Sequence, residues 1–267
     1  MSLYLILAAF GTLAGFTTLL FGFGGGFVIV PLLYQGLLAT HGTDSAAGEA
    51  AMHIAIATST CVMMVSAGMA TRRRLAQLQW NWLWPLAAYI GLGAFLGAGL
   101  ATLASGSLLR WAFLVYLAIT IADCLLRKGF LHGAAHRPLG RGATASAGLG
   151  IGAIATFLGV GGSVMTVPLM RRRGLDMASA SAMANPLSLP VAVVGTLSYV
   201  ALAWNQAAPI GPWHAGYVDL RAFAVLTAAA YLGIRLAAPL AGRIPDRLHA
   251  RIYVVLLVLV FLAMALR

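Results

Sequence analysis

The chain has 267 residues, 61% of them hydrophobic and 9% charged, with a mean hydropathy of +0.92 and a formal net charge of +11. Soluble domains carry about 25% charged residues, so the composition excludes a soluble globular enzyme and points to a polytopic helical membrane protein. The positive charge does not call for nucleic acid, because no basic face or recognition module accompanies it, and Lys and Arg gather in membrane-flanking loops for reasons of topology.

In chain order, the first apolar run, 3–21, lacks a basic leader and a clear cleavage site, and reads as a retained helix rather than a signal peptide. It ends in GFGGGFVIVP at 22–31. Gly24, Gly25 and Gly26 are not ordinary helix interior, since each Gly costs about 1 kcal/mol against Ala. Clustered, they allow positive φ and a break, after which an apolar helix resumes at Phe27. Runs at 50–70, 81–104 and 108–126 follow. The next run, 143–170, carries GVGGSVMTVP at 159–168, and runs at 177–203, 220–241 and 248–266 complete the chain. Most reach the ~20 residues a helix needs to span hydrocarbon. Cys61 and Cys124 sit in or at the ends of separate spans and read as small buried hydrophobes, not as a disulfide or metal pair.

The two glycine motifs share G-x-G-G-x₅-P at an offset of 137, and Gly11 and Gly15 meet Gly148 and Gly152 in the same register. At an offset of 127, Glu49, Ala55, Ala57 and Gly68 meet Asp176, Ala182, Ala184 and Gly195. The chain therefore reads as one membrane unit twice, 1–127 and 143–267, joined by a polar, cytoplasmic linker at 128–142. Eight simple crossings would leave seven basic residues on each face, against the positive-inside rule. If each glycine-broken segment instead folds back, or crosses twice, thirteen of the seventeen Lys and Arg share one face. The expected fold is thus all-α, with two inverted repeats, each a glycine-broken hairpin plus three spanning helices, and both chain ends outside.

A broken helix exposes unpaired N–H groups and a positive dipole end where its second part begins. Two such starts facing each other form a site for a small anion, and transporters built from repeats break helices where substrate binds. The expected donors are Gly24, Gly25, Gly26 and Phe27 in one motif and Gly161, Gly162, Ser163 and Val164 in the other, with Ser163 as N-cap. Thr58, Ser59, Asn185 and Ser188, at matched depth in the following helices, would orient the ligand. The competing reading is close helix packing through small residues, which fits the four-residue spacing of Gly11–Gly15 and Gly148–Gly152 better than it fits adjacent glycines. Alanine at Gly15 should be tolerated unless packing there is tight. His53, four residues after Glu49, is the candidate for proton coupling, with structural hydrogen bonding as its alternative. His41, Asp44, Glu49 and His53 imitate a metal cluster without matching a motif. Arg235 should snorkel, and Asp123 should pair with Arg127. No Walker or Rossmann motif is present, and no metal or other cofactor is expected.

The doubled glycine motif, together with Ala57–Thr58–Ser59, the basic loop after it and the aromatic-rich start of the third helix, resembles the TauE/SafE family of sulfite exporters, also called the toluene-sulfonate uptake permeases. The second copy departs, with Asn185–Pro186 where Thr–Ser would stand. The resemblance implies a bacterial or archaeal inner membrane and a non-enzymatic secondary transporter of small sulfur-containing anions such as sulfite, sulfonates, sulfoacetate or thiosulfate. A passive anion channel and a carrier of small carboxylates are the alternatives.

Overall fold

The computed structural model describes residues 2–42, 45–127, 130–131, 140–203 and 213–266. Asp44, Lys128, Arg137 and Arg267, and with them most of the expected linker, lie outside the described residues. The elements are α1 (Ser2–Phe21), α2 (Gly26–His41), the single turn α3 (Ala46–Glu49), α4 (Ala51–Arg73), α5 (Trp80–Leu103) and α6 (Gly106–Leu126). Then follow α7 (Arg141–Leu158), α8 (Ser163–Arg172), α9 (Met177–Ala203), α10 (Leu220–Ala237) and α11 (Asp246–Ala265). A two-residue hairpin, β1 (His214–Ala215) against β2 (Val218–Asp219), precedes α10. Seven of these helices, α1, α4, α5, α6, α9, α10 and α11, are long and apolar enough to cross a bilayer. The protein is an all-α polytopic membrane protein.

Local chemistry sets the ends. Ser105 caps α6 by accepting from the Leu108 N–H, and Asp219 caps α10 by accepting from Arg221 and Ala222. Both glycine motifs interrupt helix as expected, giving α1–α2 and α7–α8. The second limbs are short: α2 has 16 residues and α8 has 10, about 24 and 15 Å at 1.5 Å per residue.

Burial identifies the centre. In α4, 72% of the apolar window is buried and in α9 61%, against 33% for α10 and α11. The two central helices cross antiparallel: a Cβ on Gly195 would lie 3.3 Å from Thr60, and one on Gly68 3.9 Å from Leu189. The first limb of each broken pair packs elsewhere, α1 on α10 and α7 on α5. These two contacts are backbone on backbone. A Cβ on Gly15 would meet the Ala230 carbonyl oxygen at 2.0 Å, and one on Gly152 that of Ile90 at 2.0 Å. Gly93, Gly97 and Gly233 return the contact, at 2.1, 2.1 and 1.9 Å from Leu149, Ala153 and Thr12 oxygens. Numbers rise together along both pairs, so α1 runs parallel to α10 and α7 parallel to α5. Lipid supplies no hydrophobic drive between helices, and close packing of small residues takes its place. The packing reading therefore holds for Gly11, Gly15, Gly148 and Gly152, and Gly15 is not a permissive position.

The largest contacts map onto one another when α1, α2, α4, α5 and α6 are exchanged with α7, α8, α9, α10 and α11. Thus α1–α10 becomes α7–α5, α2–α4 becomes α8–α9, and α4–α9 and α6–α11 are unchanged. The first limb of each broken pair leaves its own set to dock on the other, while the second limb stays on its own central helix.

Candidate anion site at the two helix breaks

The first break is left-handed backbone: Gly22, Gly24 and Gly25 have φ of 75°, 67° and 91°, which side chains with a Cβ avoid. Gly25 serves as N-cap of α2 without a side-chain cap. The first N–H groups of α2 with a backbone partner are those of Val28 and Ile29, both on the Gly25 oxygen. Those of Gly26 and Phe27 are left over, and both residues are buried.

The second break is built differently. Its left-handed residue is Gly159, φ 65°, which closes α7, while Gly161 and Gly162 are not left-handed. The N-cap of α8 is Gly162, and Ser163 is the first helical residue, its hydroxyl donating at 3.4 Å to the Gly161 oxygen. Ser163 is thus not the N-cap expected from sequence, because the chain re-enters helix one residue earlier. Met165 and Thr166 bond the Gly162 oxygen, leaving the N–H groups of Ser163 and Val164, both fully buried.

The two breaks touch. A Cβ on Gly26 would lie 2.7 Å from the Gly159 oxygen and 3.7 Å from the Gly161 nitrogen. Gly24 and Gly161 share neighbours: a Cβ on either would meet the Met63 sulfur, at 3.0 and 2.8 Å, and the side chain of Ser188. Around this contact the polar side chains are spent on carbonyls. Ser59 donates to Gly159 O at 2.9 Å, Ser66 to Gly24 O at 2.9 Å, Asn185 through Nδ2 to Thr18 O at 3.1 Å, and Ser188 to Ala184 O at 3.0 Å. Ser59 and Asn185 thereby satisfy carbonyls at the ends of the broken first limbs, and the starts of α2 and α8 keep their positive dipole ends. The Asn185 Oδ1 is buried without a hydrogen-bond partner.

Ser59, Asn185 and Ser188 thus lie beside the breaks. Thr58 does not join them: its hydroxyl accepts from the Asp219 N–H at 3.0 Å, tying α4 to the hairpin before α10. His53 bonds the Ala104 oxygen at 3.1 Å and stacks on Tyr217, away from both breaks. Asp123 pairs with Arg127 at 3.3 Å and also with Arg172. Arg235 lies over the Tyr231 ring. Among the described residues no three His, Cys, Asp or Glu are placed to hold a metal ion.

Sequence reasoning missed Met63, Ser66, Arg74 and one face of α11. Arg74 is 4% exposed, and donates to Leu19 O at 3.3 Å and Gln77 at 2.7 Å. Burial lowers the proton affinity of its guanidinium, and Asp176 opposes that shift. On α11, Asp246 pairs with Arg171 and accepts from the Met177 N–H at 2.8 Å. His249 bonds Leu20 O at 2.9 Å. Tyr253 donates to Val164 O at 3.2 Å and packs on Phe23 with ring centroids 4.8 Å apart. Pro168 explains that last bond, because a proline has no N–H for the carbonyl four residues back. One signal for Tyr253 was available: it follows Tyr116 by the same 137 residues as the glycine motifs.

The family model of the sulfite exporters TauE/SafE matches residues 7–264. The chain is also 26% identical over 262 residues to a protein of Haemophilus influenzae described as a probable membrane transporter protein, covering 96% of each. The chain belongs to the TauE/SafE sulfite exporter family and is a multi-pass membrane transporter.

Proposed function

We propose that the protein is a secondary transporter of the bacterial or archaeal inner membrane that carries small sulfur-containing anions, such as sulfite, sulfonates, sulfoacetate or thiosulfate, driven by protons. The observation that carries this reading is the meeting of two broken-helix starts with four buried, unpartnered backbone N–H groups, those of Gly26, Phe27, Ser163 and Val164. Buried N–H groups are almost always paired, and an oxyanion with several acceptor oxygens pairs them without a side-chain cation. Gly24, Gly25, Gly161 and Gly162 let the anion approach the backbone, Ser59 and Asn185 hold carbonyls away from it, and Ser188 lines the contact between the breaks.

The two halves act as inverted repeats in this proposal. Parallel α1–α10, parallel α7–α5 and antiparallel α4–α9 support it, since successive spanning helices alternate in direction. The breaks then enter from opposite faces, and access alternates as one set of helices rocks against the other.

The test is a panel of sulfur oxyanions, alkyl sulfonates and carboxylates on purified protein, read as thermal stabilisation, followed by counterflow in proteoliposomes. Stabilisation by sulfur anions with saturable counterflow supports the proposal. Non-saturating flux without counterflow would instead identify a passive channel, and stabilisation by carboxylates alone would move the substrate class.

A further inference from the structure

We infer that Met63 sets the size of the anion head that fits between the two breaks. The inference rests on the transport reading above and adds the residue that limits which anions the site takes. Ser59, Met63 and Ser66 lie at i, i+4 and i+7 on α4, so they share one face. The two serines pin backbone on either side of the contact, Ser59 at Gly159 of the second break and Ser66 at Gly24 of the first. Met63 stands between them and is fully buried. Its sulfur is the nearest atom that a Cβ on either facing turn would meet, at 3.0 Å from Gly24 and 2.8 Å from Gly161.

The two facing glycines lack a side chain for different reasons. Gly24 has φ 67°, a conformation that glycine adopts without steric cost. Gly161 is not left-handed, so its backbone does not call for glycine, but its surroundings do. A Cβ there would stand 2.8 Å from the Met63 sulfur and 2.9 Å from the Ser188 Oγ. The room just ahead of the buried N–H groups of Ser163 and Val164 is thus divided between a thioether from α4 and a hydroxyl from α9. A thioether is a weak acceptor and carries no donor, so Met63 shapes this room and does not attract an anion. It is also the wall that yields most easily. Three rotatable bonds let a methionine adapt to its neighbours, whereas Ser59 and Ser66 are tied to carbonyls. A small head fits with a rotation of the Met63 side chain, and a ring on the same head collides with it.

The experiment compares methanesulfonate with benzenesulfonate, equal in charge and different in bulk, on the purified full-length protein by thermal stabilisation. Wild type should bind methanesulfonate more tightly. Met63→Ala should move the ratio of the two dissociation constants toward benzenesulfonate by about 10–200-fold, the discrimination that one methylene of pocket space provides. Met63→Leu, which conserves volume, should keep the wild-type ratio, and so should Met64→Ala at the adjacent position of α4. Loss of packing alone lowers the melting temperature of the ligand-free variant and leaves the ratio where it was. Equal affinity of wild type for both anions, an unmoved ratio in Met63→Ala, or the same shift in Met64→Ala overturns the inference. If Met63→Ala does not fold, Met63→Cys leaves a smaller gap. In a background with Cys61 and Cys124 replaced by alanine, methanesulfonate should protect the introduced thiol from maleimide, and alkylation indifferent to methanesulfonate likewise overturns the inference. A wild type that binds methanesulfonate, with an unmoved ratio in Met63→Ala, leaves the transport reading standing. If wild type instead binds acetate and no sulfur anion, the substrate class of that reading falls, and acetate against benzoate puts the same size question to Met63.

Discussion

At the scale of single residues, two positions carry more than their size suggests. Gly25 has φ 91° and a Cβ there would lie 3.1 Å from the Ser66 hydroxyl, so a β-branched side chain is both strained and crowded. Strain of this kind costs about 1–3 kcal/mol, less than a whole fold but enough to reshape the start of α2. Gly25→Val should insert in the membrane and lose both anion-induced stabilisation and uptake; normal uptake by this variant would remove the first break from the site. The second position is Tyr253. Pro168 withholds the N–H that Val164 O would otherwise receive, and the Tyr253 hydroxyl replaces it. Tyr253→Phe should lower stability by about 1–2 kcal/mol, in the range of interhelical hydrogen bonds in membranes. Pro168→Ala restores a backbone donor, so Tyr253→Phe should cost less in that background. Additive losses in the double-mutant cycle would show that the carbonyl is satisfied some other way.

At the scale of elements, the glycines of α1 and α7 exemplify how far a sequence can be read. Their spacing of four identified helix packing, and the doubled motif identified two breaks, because both are periodic signals within one segment. The identity of the facing helix was not available that way: α1 docks on α10 and α7 on α5, partners fixed only by three-dimensional exchange between the sets. For the same reason Ser59, Asn185 and Ser188 could be placed at the breaks by matched depth, whereas Thr58, one residue away, turns to Asp219 on the other side of α4. Helix propensity alone favours alanine at Gly15, but the Ala230 oxygen stands 2.0 Å from the added Cβ, and overpacking costs about 1–3 kcal/mol. Gly15→Ala and Gly152→Ala should therefore both lower the melting temperature in detergent. Gly150→Ala, at a position with nothing within 4 Å, should leave it unchanged or raise it. Equal behaviour of Gly15→Ala and Gly150→Ala would mean that α1 and α10 are not in backbone contact.

At the scale of the whole molecule, the direction of the helices and the distribution of charge must agree. Antiparallel α4 and α9, with α5 and α10 as their next spans, make α5 and α10 opposite in direction. Because α1 runs parallel to α10 and α7 parallel to α5, the first limbs of the two broken pairs run in opposite directions, as the proposed inverted repeats require. The basic ends then collect on one side: Arg72 and Arg73 close α4, Arg171 and Arg172 close α8, and Arg247 and Arg251 lie in the opening turns of α11. Cytoplasmic loops carry such an excess, so the proposed topology puts that side in the cytoplasm and the α2 end at Thr40 and the α6 start at Ser107 outside. In a background with Cys61 and Cys124 replaced by alanine, single cysteines at Arg72, Arg173 and Arg247 should react with a membrane-impermeant thiol reagent only from the inner side. Cysteines at Thr40 and Ser107 should react only from the outer side. The decisive pair is Arg72 and Arg173, because one belongs to each half: if they label from opposite sides, α7–α8 crosses the membrane completely, the two breaks no longer enter from opposite faces, and an anion held between them could not be passed by rocking one set of helices against the other.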